Sequence, residues 1–91
     1  MVYTKENENT YLFEGKILLH DFYRIMELDD NIFEDVKGDA DTLAGLILEL
    51  EGEIPEKNST IKCKNFTFTV VSADKRRIKQ IRAKREPEVT E

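Results

Sequence analysis

Hydrophobic and polar positions change their period along this chain, and the longest apolar stretch has a helical one. Between Asp41 and Pro55, Leu43, Leu46, Ile47 and Leu50 recur at three- and four-residue steps, and Ala44 and Leu48 widen their face. That spacing predicts a helix buried over much of its circumference. Asp41 or Thr42 offers a side-chain oxygen to its first free N–H groups. Gly52 can close it in the left-handed conformation, and Pro55 forbids continuation. Gly45 interrupts the run at a cost of roughly 1 kcal/mol relative to alanine. The missing side chain therefore predicts close packing on a strand or a second helix, rather than approach by a ligand.

After Pro55 the period becomes two. Thr60–Lys64 puts Ile61 and Cys63 on one face, Lys64-Asn65 makes a tight turn, and Phe66, Phe68 and Val70 face inward opposite Thr67 and Thr69. Asp74-Lys75 turns again. Residues 76–84 carry Ile78 and Ile81, whose spacing of three predicts a third strand with a bulge. In the other half, Thr10–Glu14 alternates as a strand, Gly15-Lys16 turns, and Leu18, Phe22, Ile25 and Met26 predict a helix over about 19–28. Ile32, Phe33 and Val36 tack the acidic connection that follows to the core. The elements predict an α+β domain over residues 10–85, a small, mostly antiparallel sheet with two helices packed on it. Residues 1–9 read as a loosely ordered linker and 86–91 as a disordered tail.

At 91 residues the chain fits one domain with a modest core, and no apolar run approaches the roughly 20 residues of a membrane helix. The lack of a charged-then-apolar N-terminal segment argues against secretion. The net charge of −5 hides an asymmetry. Glu27–Glu53 holds ten acidic residues against Lys37, a net −9, while Lys75–Arg85 holds seven basic residues and no acid. Such a charge dipole serves association or solvation. The basic run also reads as a solvated edge strand whose cations discourage aggregation.

Candidate chemistry is sparse. His20, the one histidine, has Asp21 as sequence neighbour, but adjacent helical positions point apart, so it reads as a surface or helix-start residue. Cys63 reads as a small core residue, and with His20 alone it makes no metal cluster. Asp29, Asp30 and Asn31 lack the alternating pattern and twelfth-position glutamate of a calcium loop.

Asp41-Thr-Leu-Ala-Gly-Leu-Ile, Gly52-x-Ile54-Pro55, Phe66-x-Phe68-x-Val70 and Asp74-x-Arg76-Arg77-Ile78 together resemble the transporter-associated domain of the CorC/HlyC type. Tyr11-x-Phe13-x-Gly15 and Leu19-x-Asp21-Phe22 match its N-terminal half, so the resemblance runs from about Tyr11 to Ala83. Phe22-Tyr23-Arg24-Ile25-Met26 is similar to the gliding-motility-associated branch. On this resemblance Thr42, Leu43, Gly45, Leu46, Gly52, Pro55, Phe66 and Phe68 are structural.

The resemblance implies a cytoplasmic unit at the C-terminus of a hemolysin-like bacterial inner-membrane protein, after transmembrane and CBS domains. Its expected role is non-catalytic regulation of magnesium or cobalt transport. The implied fold is similar to the FAD-binding domain of certain flavin oxidases, the PCMH type, so FAD or adenine-nucleotide binding is an alternative function. Gly15, Gly38, Gly45 and Gly52 are scattered singly, however, and the aspartates of Gly38-Asp-Ala-Asp41 repel a pyrophosphate. Nucleic-acid binding by Lys75–Arg85 is a second alternative, weakened because that segment lacks stacking aromatics. Candidate interaction residues are Arg76, Arg77, Lys79 and Arg82 on a basic strand face, and Asp29, Asp30, Glu34 and Asp35 on the acidic connection. Their expected partners are the CBS and transmembrane domains of the parent, or a second copy of the domain.

Overall fold

Alternation in Phe66–Val70 sorts the sheet into two faces, and the register carries that sorting across every strand. The structure is a computed structural model that describes residues 3–86. Its strands are β1 (Tyr3–Asn7), β2 (Thr10–Glu14), β3 (Thr60–Cys63), β4 (Phe66–Ala73) and β5 (Ile78–Arg85), with helices α1 (Leu19–Ile25) and α2 (Leu43–Glu51). The five strands pair antiparallel in the order β1-β2-β5-β4-β3. Phe13 pairs with Ile81 and Ile81 with Val70, while Ala83 pairs with Phe68 and Phe68 with Ile61. Because cross-strand partners share a face, these residues form one apolar surface. Thr67, Thr69, Arg82 and Lys84 fall on the opposite one.

The helices cover the apolar surface. Phe22 of α1 meets Phe13 edge-on at 5.0 Å between ring centroids, and it also meets Phe66 and Phe68. Phe33, from the acidic connection, packs on the same two rings at 5.9 and 6.1 Å. Leu43, Leu46 and Ile47 of α2 are fully buried, as the helical period requires. Each such side chain contributes about 1.5–3 kcal/mol on burial.

Thr42 caps α2 by accepting the Gly45 N–H at 3.0 Å. Gly52 ends the helix at φ 81°, with its N–H on the Leu48 carbonyl. Gly45 does pack closely, but against the helix entry. An added Cβ would lie 3.2 Å from both Ala40 Cβ and Thr42 Oγ1, not against a strand or a second helix.

The sharper close approach is at Gly15, where the sequence suggests only a turn. A Cβ there would lie 2.2 Å from the Ile78 carbonyl oxygen and 3.1 Å from Ala44 Cβ. Gly15 is the point where β2, β5 and α2 converge.

Several expectations need correction. Tyr3–Asn7 is an edge strand paired to β2, not a linker, and the Tyr3 ring packs at a tilt against Tyr11 and Phe13. Helix α1 stops at Ile25 because Glu27 adopts φ 57° and Leu28 N–H turns back to the Tyr23 carbonyl. Positive φ at the β3–β4 turn falls on Lys64 instead of Asn65. Strand β5 is central instead of at an edge. Its expected bulge is present: the register slips around Lys79 and lets Ile78 and Ile81 both face inward. Residues 1, 2 and 87–91 lie outside the described part. Glu86, placed in the tail by sequence, donates its N–H to the Asn65 carbonyl.

Replacing Gly15 by alanine should destabilise the fold by about 1–3 kcal/mol, the usual cost of overpacking against rigid backbone. Gly45→Ala should cost less, because its regained helix propensity opposes the mild crowding. Urea denaturation of both variants measures the difference. The reverse ranking would contradict the convergence at Gly15.

Candidate functional site

Charge is what the described residues present most distinctly. The acidic residues cluster in the connection between α1 and α2. Asp29, Asp30, Glu34 and Asp35 are all exposed there. Asp29 accepts the Asn31 N–H at 3.1 Å, which shapes the turn. Asp35 pairs with Lys64 at 3.0 Å and so ties the connection to the β3–β4 turn. The Lys64 hydrogen bond and a backbone hydrogen bond hold the Asp35 carboxyl below its ordinary value. Among the described residues Asp29, Asp30 and Glu34 make no ion pair.

The expected basic strand face does not exist as one surface. Arg76 and Arg77 lie in the β4–β5 turn, where Asp74 Oδ1 accepts both of their N–H groups at 2.8 and 2.9 Å. Lys79 sits at the bulge, 3.7 Å from Asp74 Oδ2. Arg82 points from the opposite sheet face and reaches across β2 to Glu6, with Nε–Oε1 at 2.7 Å and Nη2–Oε2 at 3.3 Å. That bond raises the Arg82 pKa. A turn and a bulge break the strand's parity, so the four cations cannot share a face. Only Arg77 and Lys79 come together.

They meet in an open cleft of about 470 Å³ where the end of the sheet approaches α2. Lys16, Arg77 and Lys79 rim it, Glu14 opposes them, and Thr42 and Ala44 form part of the wall. The nearby helix start is already bonded within the protein. Leu43 N–H donates to Ile17 O at 3.0 Å, Ala44 N–H to Gly15 O at 2.9 Å, and Gly45 N–H to Thr42 Oγ1. An anion in the cleft would therefore meet side chains and not the backbone cradle typical of phosphate sites.

Sequence reasoning missed three residues here. The sequence pattern places Lys16 only in a turn and Glu6 in a linker. Arg85 reads as one of the solvated cations of the basic run, yet its guanidinium bonds the Met26 carbonyl at the end of α1 and lies 5.8 Å over the Phe66 ring. A signal for it was available: Ile81-x-Ala83-x-Arg85 keeps one parity, and that parity faces the core. A cation at the C-terminal end of a helix also complements the helix dipole.

His20 is exposed on α1, as expected. Cys63 is half-buried against the core, and burial pushes its thiol pKa up, the opposite of an activated nucleophile.

A family model described as a transporter associated domain, CorC_HlyC, matches residues 4–87. A solved transporter associated domain from a CBS domain protein of Porphyromonas gingivalis superposes with a TM-score of 0.86 at 34% identity, covering 96% of this chain and 100% of that one. A UPF0053 protein of Buchnera aphidicola is 30% identical over 77 residues, covering 85% of this chain and 14% of its own length. A polyamine export protein of Escherichia coli K12 is 28% identical over 75 residues, covering 82% of this chain and 16% of its own. The chain thus spans about one-seventh of the length of the curated relatives it matches.

The turn bonds give a pH test. Asp74 is held below its ordinary value by the N–H groups of Arg76 and Arg77. A depressed folded pKa contributes stability that is complete above the unfolded value and is lost as pH falls through the folded one. Carboxyl-detected NMR should find Asp74 titrating below the usual aspartate range, and Asp74→Asn should flatten that part of the stability profile. An ordinary titration midpoint would contradict the turn geometry.

Proposed function

We propose, from the premise that this chain belongs to the CorC_HlyC transporter associated domain family, that it is a docking and regulatory unit without catalysis of its own. Its parent in this reading is a hemolysin-like, CBS-containing membrane protein, with the unit on the cytoplasmic side of the bacterial inner membrane. No helix among the described residues is long and apolar enough to cross a membrane. The Porphyromonas neighbour comes from a CBS domain protein, which supports that context.

The transported species is a cation. The family resemblance points to magnesium or cobalt, and the relatives named polyamine export protein point to an organic cation. The domain would bias transport by packing better on one state of its neighbours and shifting their equilibrium.

One observation carries the reading: charges of opposite sign are left on separate parts of a well-packed fold. Asp29, Asp30 and Glu34 lack ion-pair partners among the described residues, and so do Arg76 and Arg77. Single exposed pairs are worth about 0–1 kcal/mol, so several must act together to select a partner or register. The CBS and transmembrane domains, or a second copy of the domain, are the partners this arrangement suits.

Two other readings draw less support. The cations of residues 75–85 are divided among a turn, a bulge, the open sheet face and the core. They lay no continuous track for a nucleic-acid backbone. For FAD, the first three N–H groups of α2 are bonded within the protein, so the helix start has no donor to offer a pyrophosphate.

Arg76→Glu with Arg77→Glu in the full-length parent should weaken association with its neighbouring domains by roughly tenfold, from two reversed exposed charges. It should also change transport, and the wild-type association should weaken at high salt. Co-purification and flux assays read both effects. Unchanged association and flux would contradict the docking role of this turn.

A further inference from the structure

Five exposed cations gather at one end of the sheet, beside an exposed leucine. Lys75, Arg76 and Arg77 belong to the β4–β5 turn, Lys79 follows near the start of β5, and Lys16 lies in the turn between β2 and α1. Lys16, Arg77 and Lys79 rim one cleft, so the two turns share this end of the molecule. Two carboxylates stand among them. Asp74 is occupied by the N–H groups of Arg76 and Arg77 and by Lys79 at 3.7 Å, and Glu14 lines the cleft. Among the described residues Lys16, Lys75, Arg76 and Arg77 make no ion pair.

Leu18 is part of the same end. It is 51% exposed, and it bridges Thr42, which lines the cleft. Residues 16–20 alternate: Ile17 and Leu19 are buried, while Lys16, Leu18 and His20 are exposed. Backbone pairing therefore holds Leu18 outward, because its neighbours take the places in the core. Helix α2 begins at the cleft and runs away from it, carrying Glu49 and Glu51 off this end. Asp30, Lys37 and Asp41 lie beyond Leu18 and bound the patch.

We propose that this end of the domain rests on an anionic lipid bilayer, with Leu18 entering the interface and the five cations at the level of the headgroups. The cations spread over two turns and a strand start, which suits a charged plane better than a single carboxylate or phosphate group. Each Lys or Arg brought to an anionic surface is worth about fivefold in binding. The leucine adds an apolar contact that charge alone lacks. An acidic protein face would satisfy the cations but gives no role to Leu18. The inference names a partner for the turn that the docking reading uses, and it rests on that reading for bringing the domain near a membrane.

Cosedimentation of the 91-residue chain with lipid vesicles tests the proposal. Binding is expected to mixed phosphatidylglycerol–phosphatidylcholine vesicles and not to phosphatidylcholine alone, and it should fall as salt rises. Arg76→Gln with Arg77→Gln should weaken it about twenty-fivefold, two steps of about fivefold. Lys62→Gln with Lys84→Gln removes the same charge elsewhere, since both residues flank Thr67 on the outer sheet face. That site lies about 20 Å along β4 from the turn, beyond the screening length, so the loss there should stay below about fivefold. The chain contains no tryptophan, so Leu18→Trp supplies a lone reporter. Its emission should move to shorter wavelength on the anionic vesicles. The proposal is overturned if anionic vesicles do not bind, if the Lys62 and Lys84 variant loses as much as the turn variant, or if the indole emission stays unshifted. Binding to polyglutamate as tight as to the vesicles would overturn it in favour of an acidic protein partner. The vesicles contain no protein, so a failure here leaves the docking reading to its own co-purification test.

Discussion

The antiparallel bridge between Leu18 and Thr42 joins the residues that precede both helices, and it fixes where those helices sit on the sheet. A helix start ordinarily leaves its first backbone N–H groups to water or to caps. Here Leu19 N–H donates to Asp41 O at 2.8 Å and Leu43 N–H to Ile17 O. Ala44 N–H then reaches Gly15, whose own N–H bonds Lys79 O of the central strand at 2.8 Å. A chain of backbone bonds thus runs from β5 through Gly15 into α2, and across the bridge into α1. Gly15 must lack a side chain because the Ile78 carbonyl occupies that space.

The same bonds limit the chemistry. The first N–H groups of α2, which would otherwise welcome a phosphate, are spent on architecture, so the proposed docking relies on charge. That charge is divided unequally. Asp35, Asp74, Glu6 and Arg82 are paired and serve shape. Arg85 holds the end of α1 from inside. What remains for partners in the docking reading includes Asp29, Asp30 and Glu34 in the connection and the cations around the β4–β5 turn and its cleft.

Much of the fold was legible because its signals are local. Thr42, Gly52 and the leucine spacing mark α2, and the Phe66–Val70 alternation marks β4. The spacing of Ile78 and Ile81 revealed a bulge before its position was visible. The misreadings have different causes. Tyr3–Asn7 is a strand only because β2 offers it an edge, and its own polar residues carry no signal for that. The sharp stop of α1 depends on Glu27 accepting a left-handed φ, which glutamate does not advertise. The basic run reads as one face only when Arg76 and Arg77 are placed inside the strand, whereas they lie in the turn before it. A turn and a bulge then distributed its cations over several environments. Long-range pairing decides the edge strand and the bulge, and local backbone conformation decides the stop of α1.

Native-state amide hydrogen exchange at Leu19, Leu43, Ala44 and Gly45 tests the paired helix starts most directly. Amides in a first helical turn commonly exchange through local fraying. If the bridge and Gly15 hold both helices to the sheet, these four should be protected nearly as well as the central amides of β4 and β5. Fast exchange at all four, beside well-protected strands, would show that the helices are not anchored in this way.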